Sequence, residues 1–286
     1  MPDGRENAYE IDARLPPEMA LKAEQAGAAK AGRDALSLLV LSILAGAFIA
    51  FGAIFMTVVM TGSAGALPFG VARLLGGLVF SLGLILVVIG GAELFTGDNL
   101  MVMAWANRVI KTRALLRAWV IVYFGNLIGA IGTAGLIFLS GHAGLAGGGV
   151  GKTALAIAAS KAELPFFDAV VLGILCNVLV CLAVWLSYSA RTVVGKVFAI
   201  VPPISAFVAA GFEHSIANMY FFPVALMIKE WAPEPFWQAI GAAPKDYPGV
   251  TIMAALGNIA PVTIGNIIGG GVLVGAVYWF VYLRNR

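Results

Sequence analysis

The chain has 286 residues, of which 60% are hydrophobic and 12% are charged, and its formal net charge is +3. Soluble domains carry about 25% charged residues, so this composition excludes an ordinary soluble protein and indicates a protein of the lipid bilayer. The small positive charge gives no support for a nucleic-acid partner, because membrane proteins use basic residues to set their orientation.

Residues 1–34 form a segment of their own, polar and of mixed charge, without the apolar core of a signal peptide. Within it, LPPEMALKAEQAGAAKAGRD predicts a helix that starts at Pro16 and Pro17 and lies on the cytoplasmic surface of the membrane. A partly ordered, solvated tail is the alternative. Residues 35–283 are predicted to form the transmembrane domain.

Six long apolar stretches follow, and about 20 such residues cross a bilayer as a helix. The sequence therefore predicts six transmembrane helices, near 36–59, 71–91, 118–139, 167–186, 197–227 (interrupted) and 250–281. An even number of crossings puts both termini on one side, which holds thirteen of the 18 lysines and arginines. Since positive charge stays inside, both termini are predicted to be cytoplasmic.

Two motifs invite chemical interpretations that their surroundings do not support. AGGGVGKT (146–153) is close to a phosphate-binding loop, but Ala146 replaces the first glycine and no strand precedes it, so we interpret it as a flexible exterior loop. Cys176 and Cys181 have neither metal-ligand nor redox spacing and are predicted to be core residues.

The chain contains two related halves. YFGNLIGAIG (123–132) is echoed by TIGNIIGGGV (263–272), and GAELFTGDN (91–99) is echoed by GFEHSIAN (211–218), in the same order. Three crossings per half make the halves run in opposite senses, so the pattern predicts an all-α, inverted 3+3 repeat, which is a transport architecture. The glycines of the first pair are also typical of a helix-packing seam, and the two interpretations are compatible.

The second pair of echoes places charged and polar residues at membrane depth. A charge there costs several kcal/mol unless it faces protein or water, so Glu213 and His214 are predicted to face inward. Flanking glycines and a proline predict that the second and fifth helices are broken, with N–H groups exposed toward an anion. We expect Glu213 and its echo Glu93 to hold the breaks by accepting backbone N–H bonds, and Asp98 to cap the helix that follows it.

Four stretches resemble the signatures of the formate/nitrite transporter family: GAELFTG, FVAAGFEHSIANM, PVTIGNIIGGG and LGILCNVLVCLAVW. The resemblance runs from about residue 15 to residue 284. It implies a homopentamer of six-helix protomers with an aquaporin-like fold in the bacterial plasma (inner) membrane. Each protomer would carry its own pore for small monovalent anions of weak acids, without a cofactor or metal.

The same resemblance assigns roles to residues at matching positions of this sequence. His214 matches the central pore histidine, a proton donor. Polar or gating positions are Thr96, Asn177 and, from its place beside the histidine, Glu213. The implied hydrophobic constrictions are Leu84, Leu94 and Phe95 on the cytoplasmic side and Phe80 and Phe207 on the periplasmic side, with Lys30 and Lys161 at the two mouths. Asn177 either orients His214 or satisfies hydrogen bonds between helices.

These assignments have a physical sense. A bare anion entering an apolar slot loses its hydration, whereas the neutral acid avoids that cost. Histidine, with an unperturbed pKa of about 6.5, exchanges protons near neutral pH. Hydrophobic constrictions would exclude hydrated ions, and Lys161 would concentrate anions at the outer mouth.

Formate is the expected substrate. Nitrite is the second candidate, because FTGDN departs from the FTS that is typical of the formate branch. Hydrosulfide, acetate and lactate stay open as further substrates. A membrane enzyme is the competing class, but two histidines, two cysteines and no G-x-S-x-G do not supply a nucleophile with its base or a metal cluster. A receptor would leave Glu213 and His214 without a role. Solute flux separates these classes.

Overall fold

The computed structural model describes residues 13–285. Within that range the chain is helical, and six helical spans are long and apolar enough to cross a membrane, as predicted: Ala35–Met60, Phe69–Gly90, Thr112–Leu139, Phe166–Ser189, Val193–Ala210 and Ile252–Tyr282. Two basic residues used to predict orientation, Arg5 and Arg286, lie outside the described residues, as do positions 1–12 of the predicted N-terminal segment.

The helices between residues 13 and 285, in chain order, are α1 Pro16–Ala31, α2 Ala35–Met60, α3 Phe69–Phe80, α4 Leu82–Gly90, α5 Phe95–Asp98, α6 Val102–Ala106, α7 Thr112–Leu139, α8 Gly149–Ala162, α9 Phe166–Ser189, α10 Val193–Ala210, α11 Ser215–Trp231, α12 Glu234–Ile240, α13 Ile252–Ile267 and α14 Val277–Tyr282. A π-helical segment, Ile268–Ala276, joins α13 to α14.

Helix α1 begins at Pro16, as the sequence predicts, because proline suits the first helical turn, where its missing N–H has no partner to lose. Its apolar side, which includes Met19, Ala20 and Ala23, is buried against α6 and α9. The segment is therefore packed onto the helix bundle rather than solvated. Its position at a membrane surface stays a prediction.

The prediction of a flexible loop at 146–153 is wrong for its second half. Gly149 to Thr153 form the first turn of α8, and the Thr153 hydroxyl donates to the Gly149 carbonyl at 2.9 Å. Lys152 donates to the Ile240 carbonyl at the end of α12, at 3.3 Å. Small residues let α8 lie close to α12, since a Cβ added to Gly151 would lie 2.6 Å from the Phe236 ring. Helix α8 also contacts α11, and Val150, Ala154, Leu155 and Ala158 are buried. Packing against neighbouring helices thus decides the structure of this stretch.

Cys176 and Cys181 are both free and fully buried in α9. The predicted core role is confirmed.

The two halves of the chain use the same close helix contact. A Cβ added to Gly129 of α7 would lie 2.0 Å from the Ile43 carbonyl oxygen of α2, and one added to Gly265 of α13 would lie 2.1 Å from the Val170 carbonyl oxygen of α9. The first crossing therefore packs on the third as the fourth packs on the sixth. Small residues at both contacts let the backbones approach.

The second and fifth spans end in matching ways. Helix α4 ends at Gly91 (φ 79°, ψ 29°), and α10 ends at Gly211 (φ 79°, ψ 25°). This left-handed conformation favours glycine because a Cβ would be strained there. After each of these glycines, the backbone is not helical until α5 begins at Phe95 or α11 begins at Ser215.

Asn126 of α7 holds the non-helical stretch after α4. Its side-chain amide donates to the carbonyls of Ser42 (2.8 Å) and Glu93 (2.9 Å), and its Oδ1 accepts the backbone N–H of Phe95 (2.9 Å). One buried side chain thus satisfies three backbone groups that lie within the bundle. In lipid such groups have no water to replace a missing partner.

Asn266 of α13 makes the same set of bonds in the second half. Its amide donates to the carbonyls of Gly173 (2.8 Å) and Glu213 (3.0 Å), and its Oδ1 accepts the backbone N–H of Ser215 (3.0 Å). Asn126 and Asn266 are the asparagines of GNLIG and GNIIG. The repeated motif therefore supplies both the glycine contact and the polar support of the interrupted helices.

Alanine at Gly129 or Gly265 is expected to destabilise the protein by about 1–3 kcal/mol, because the added methyl must push two helices apart. Thermal denaturation in detergent measures the effect. Gly132→Ala is the matched control: it lies on the same helix as Gly129 and its added Cβ meets nothing within 4 Å. Equal melting temperatures for all three variants would contradict the close-contact interpretation.

Leucine at Asn126 or Asn266 removes three hydrogen bonds and leaves buried backbone groups unsatisfied, a loss of about 1–3 kcal/mol for each group. Because the two bonding sets are equivalent, N126L and N266L are expected to lower the melting temperature to a similar degree. A large effect in one variant and none in the other would show that the two breaks are held differently.

Candidate functional site

A cavity of about 570 Å³, which we call the Lys161 vestibule, opens beside the fifth span. Its lining includes Lys161, Arg73, Lys152, Phe80, Phe207 and His214. Lys161 lies near the end of α8, in the connection between the third and fourth spans. This vestibule therefore lies on the side of the bundle opposite to the described ends of the chain.

A second cavity of about 230 Å³, the Lys30 vestibule, lies beside the second span. Its lining includes Lys30, Arg33, Leu84, Glu93, Leu94 and Asp98. Because Lys30 belongs to α1, which precedes the first span, this vestibule lies on the side of the described ends.

His214, in the lining of the Lys161 vestibule, contacts Thr96. Both side chains are almost fully buried, and Thr96 Oγ1 lies 3.0 Å from His214 Nε2. Thr96 lies in α5, directly after the interruption that follows α4, and His214 lies at the end of the interruption that follows α10. The segments beside the two interruptions are therefore in direct contact. The structure thus places the predicted histidine and threonine together.

The hydrogen bonds of His214 fix its tautomer. Nδ1 accepts the backbone N–H of Ala217 at 3.0 Å, as the N-cap of α11. A ring nitrogen that accepts carries no proton, so neutral His214 carries its proton on Nε2 and donates it to Thr96 Oγ1. A small anion that displaces this contact would meet an N–H donor and a hydroxyl donor.

Four of the five predicted constriction residues border the cavities. Phe80 and Phe207 line the Lys161 vestibule with ring centroids 5.6 Å apart, and the Phe207 ring stacks on His214 at 5.9 Å. Leu84 and Leu94 line the Lys30 vestibule. Each vestibule therefore has two of the predicted apolar constriction residues in its lining, and His214 lies with Phe80 and Phe207.

Phe95, the fifth predicted constriction residue, lies at the start of α5. It is outside the lining of both vestibules, and its ring packs edge-on against Trp119 (5.9 Å) and Tyr123 (5.0 Å) of α7. Its role in a constriction stays a prediction.

Asn177 of α9 supports the chain beside the site. Its amide donates to the carbonyls of Thr96 (3.2 Å) and Asn266 (2.7 Å) and to Asn99 Oδ1 (2.9 Å). Of the two roles expected for it, these contacts fit bonding between helices. It acts on the backbone of Thr96 and so on the partner of His214.

Glu213 forms an ion pair with Lys161 at 2.6 Å and accepts a hydrogen bond from Asn218 at 2.6 Å. The bond to a backbone N–H expected of Glu213 is made instead by Asn266, whose Oδ1 accepts from Ser215, two residues further along the chain. The buried carboxylate therefore needs Lys161 as its counter-charge.

Glu93 and Asp98 are both paired with Lys30, at 2.6 Å and 2.5 Å, and Glu93 also faces Arg33 at 3.5 Å. The predicted capping role of Asp98 is wrong, since its side chain makes no cap bond and faces Lys30 instead. Burial lowers the pKa of Lys30, but the charges of Asp98 and Glu93 outweigh this and raise it above its ordinary value. Lys30 is therefore charged at physiological pH.

Several residues of the site were missed by the sequence interpretation. Asn126 and Asn266 stood inside the repeated motif that identified the duplication, so the echo itself was the signal that could have found them. Arg73, whose guanidinium donates to the carbonyls of Val208 (2.5 Å) and Ala209 (3.2 Å) at the end of α10, gave no signal beyond being a charge in an apolar stretch.

Comparisons with known proteins agree with this arrangement. A family profile described as "Formate/nitrite transporter" matches residues 17–280. The chain is 48% identical over 277 residues to the formate channel FocA of Escherichia coli (strain K12), covering 96% of this chain and 97% of that protein. It is 43% identical to FocA of Haemophilus influenzae, over 92% of this chain and 93% of the relative.

A solved structure of a pentameric formate channel with formate bound superimposes with a TM-score of 0.82 at 44% identity, covering 87% of this chain and 98% of that one. The matches cover nearly the whole length of both partners and include the stretches that carry the site. The chain therefore belongs to the formate/nitrite transporter family and is a multi-pass membrane protein of the anion-channel type.

Proposed function

We propose that the chain is a formate channel of the bacterial plasma membrane, with both termini in the cytoplasm. The observation that supports the proposal is the contact between His214 and Thr96, which brings two hydrogen-bond donors together at the wall of the Lys161 vestibule. The relatives named as formate channels support formate as the substrate, and the excess of basic residues on the side of the termini supports the orientation.

The protein acts as a homopentamer in which each protomer carries its own path. The similar solved structure is described as pentameric. Outward faces of the spans expose large apolar side chains, such as Leu136 and Phe124 of α7, and these faces suit contact with lipid or with a neighbouring protomer.

Formate loses water as it leaves a vestibule, and a bare charge in an apolar slot is costly. The Nε2–H of His214 and the hydroxyl of Thr96 offset part of this cost by donating to its carboxylate oxygens. Phe80 and Phe207 on one side and Leu84 and Leu94 on the other exclude ions that keep their hydration shell.

Protonation of the anion lowers the remaining barrier. Neutral His214 cannot give up its Nε2 proton without forming an imidazolate, so the ring first takes a proton from vestibule water at Nδ1. This step breaks the bond from the Ala217 N–H. The Nε2 proton then passes to a formate oxygen, formic acid leaves, and the ring loses the Nδ1 proton to water and regains one at Nε2. Proton donation is thereby coupled to release of the α11 cap.

In proteoliposomes, initial uptake of labelled formate is expected to exceed that of nitrite and of hydrosulfide at equal concentration. Uptake must exceed that of protein-free liposomes, because neutral acids cross lipid unaided. Faster uptake of nitrite would reassign the substrate within the family, and absence of protein-dependent uptake for all three would reject the channel proposal.

Replacing His214 by asparagine separates capping from proton transfer. Asparagine can accept the Ala217 N–H as an N-cap but cannot be protonated at these pH values. Protein-dependent formate uptake by the wild type is expected to rise between pH 7.5 and 5.5, by up to about tenfold per pH unit, the limit for one proton. H214N is expected to lose this rise while remaining folded.

His214→Phe loses both the cap and the proton, and its comparison with H214N shows what the cap contributes to stability. A pH dependence in H214N equal to that of the wild type would reject proton donation by His214.

A further inference from the structure

We propose that the two vestibules carry unequal charge, with Arg73 and Lys152 collecting anions in the Lys161 vestibule and Asp98 cancelling the charge of the Lys30 vestibule. The inference rests on the proposed function, because it concerns how formate reaches the central site from each side.

The Lys161 vestibule has an excess of positive charge. Arg73, Lys152 and Lys161 line it, and Glu213 is the one acidic side chain in the lining that the structure describes. Lys161 is paired with Glu213 at 2.6 Å, so its charge is balanced where it lies. The expected collector of anions is therefore already neutralised.

Arg73 and Lys152 keep their charge. Arg73 donates to the carbonyls of Val208 and Ala209, and Lys152 donates to the carbonyl of Ile240. Carbonyl groups are dipoles without net charge, so these bonds hold the side chains at the cavity wall and leave about two positive charges facing it. Such a surplus raises the local concentration of anions.

The Lys30 vestibule is balanced. Its charged lining consists of Lys30 and Arg33 against Glu93 and Asp98. Lys30 contacts both carboxylates, at 2.6 Å and 2.5 Å, and Arg33 faces Glu93. Burial raises the pKa of Asp98 to about 7 despite the opposing charge of Lys30. Above that pH both carboxylates are ionised, and no surplus of either sign remains among the described residues that line this cavity.

One position of the internal repeat accounts for much of the difference. Asp98 stands five residues after Glu93, and Asn218 stands five residues after Glu213. Asn218 donates to Glu213 at 2.6 Å and carries no charge. The first half therefore uses a second carboxylate where the second half uses an amide of nearly the same shape.

The consequence is a different apparent affinity at the two ends. A unit charge about 7 Å from an anion in water changes the local anion concentration about threefold. A passive path still carries no net flux at equilibrium, so the asymmetry appears as a lower half-saturating formate concentration for entry from the Lys161 vestibule. Salt screens the effect.

The test uses labelled formate uptake into right-side-out and everted membrane vesicles, which present opposite vestibules to the added formate. Half-saturating concentrations are measured at about 0.01 M ionic strength, where the Debye length is about 30 Å, and again at about 0.15 M. The variants are K152Q, R73Q and D98N, with R73K as a charge-retaining control. K245Q removes a lysine from an exposed turn that lines neither vestibule.

K152Q is expected to raise the half-saturating concentration about threefold in right-side-out vesicles only, because these present the Lys161 vestibule in the proposed orientation. R73Q is expected to act in the same direction in the same vesicles. D98N is expected to lower the half-saturating concentration by a similar factor in everted vesicles only, because these present the Lys30 vestibule. All three effects shrink at the higher ionic strength, K245Q resembles the wild type, and R73K, which keeps the charge, changes the half-saturating concentration less than R73Q.

Unchanged half-saturation in K152Q and D98N, or a change of the same size in both vesicle types, would overturn the inference. Formate uptake by wild-type vesicles at saturating concentration tests the proposed function separately. If that uptake is absent, the proposed function fails; if it is present and the variants behave like K245Q, only the charge asymmetry is rejected.

Discussion

The backbone of this protein must satisfy its own hydrogen bonds at the depth where two helices are interrupted, and the rest of the site depends on how it does so. Asn126 and Asn266 each bind two carbonyls and one N–H around an interruption. With those groups satisfied, the stretches that carry Thr96 and His214 can lie inside the bundle and meet. Without them, each unpaired backbone group would cost several kcal/mol in lipid.

Ion pairs complete this frame in each half. Glu93 and Glu213 lie in the interrupted stretches, and each is paired with a lysine from a helix outside the six spans, Lys30 of α1 and Lys161 of α8. A buried carboxylate without its partner is strongly unfavourable. Helices α1 and α8 are thereby tied to the interior, which explains why neither behaves as a loose connection.

Much of the architecture could be predicted from the sequence because long apolar stretches and echoed motifs are local patterns. The six spans, the start of α1 at Pro16 and the burial of both cysteines follow from such patterns. Contacts made between distant segments leave no local pattern. The local sequence around Asp98 predicts a helix cap, but its side chain instead pairs with Lys30, 68 residues away in the chain. Likewise, the local sequence GVGKT predicts a loop, but packing against α11 and α12 makes it the first turn of α8. The polar role of Asn126 was hidden because its glycine neighbours already explained the motif.

Phe80 and Leu84 face different vestibules although they are four residues apart in one span. At a rise of about 1.5 Å per residue, that spacing is about 6 Å along the helix. On the proposed path, the dehydrated zone would therefore be about as long as one small carboxylate, so that a single anion would fill it and a second would have to wait in single file. A longer carboxylate would keep one end in water on each side, so length as well as charge bears on which solutes are retained or passed.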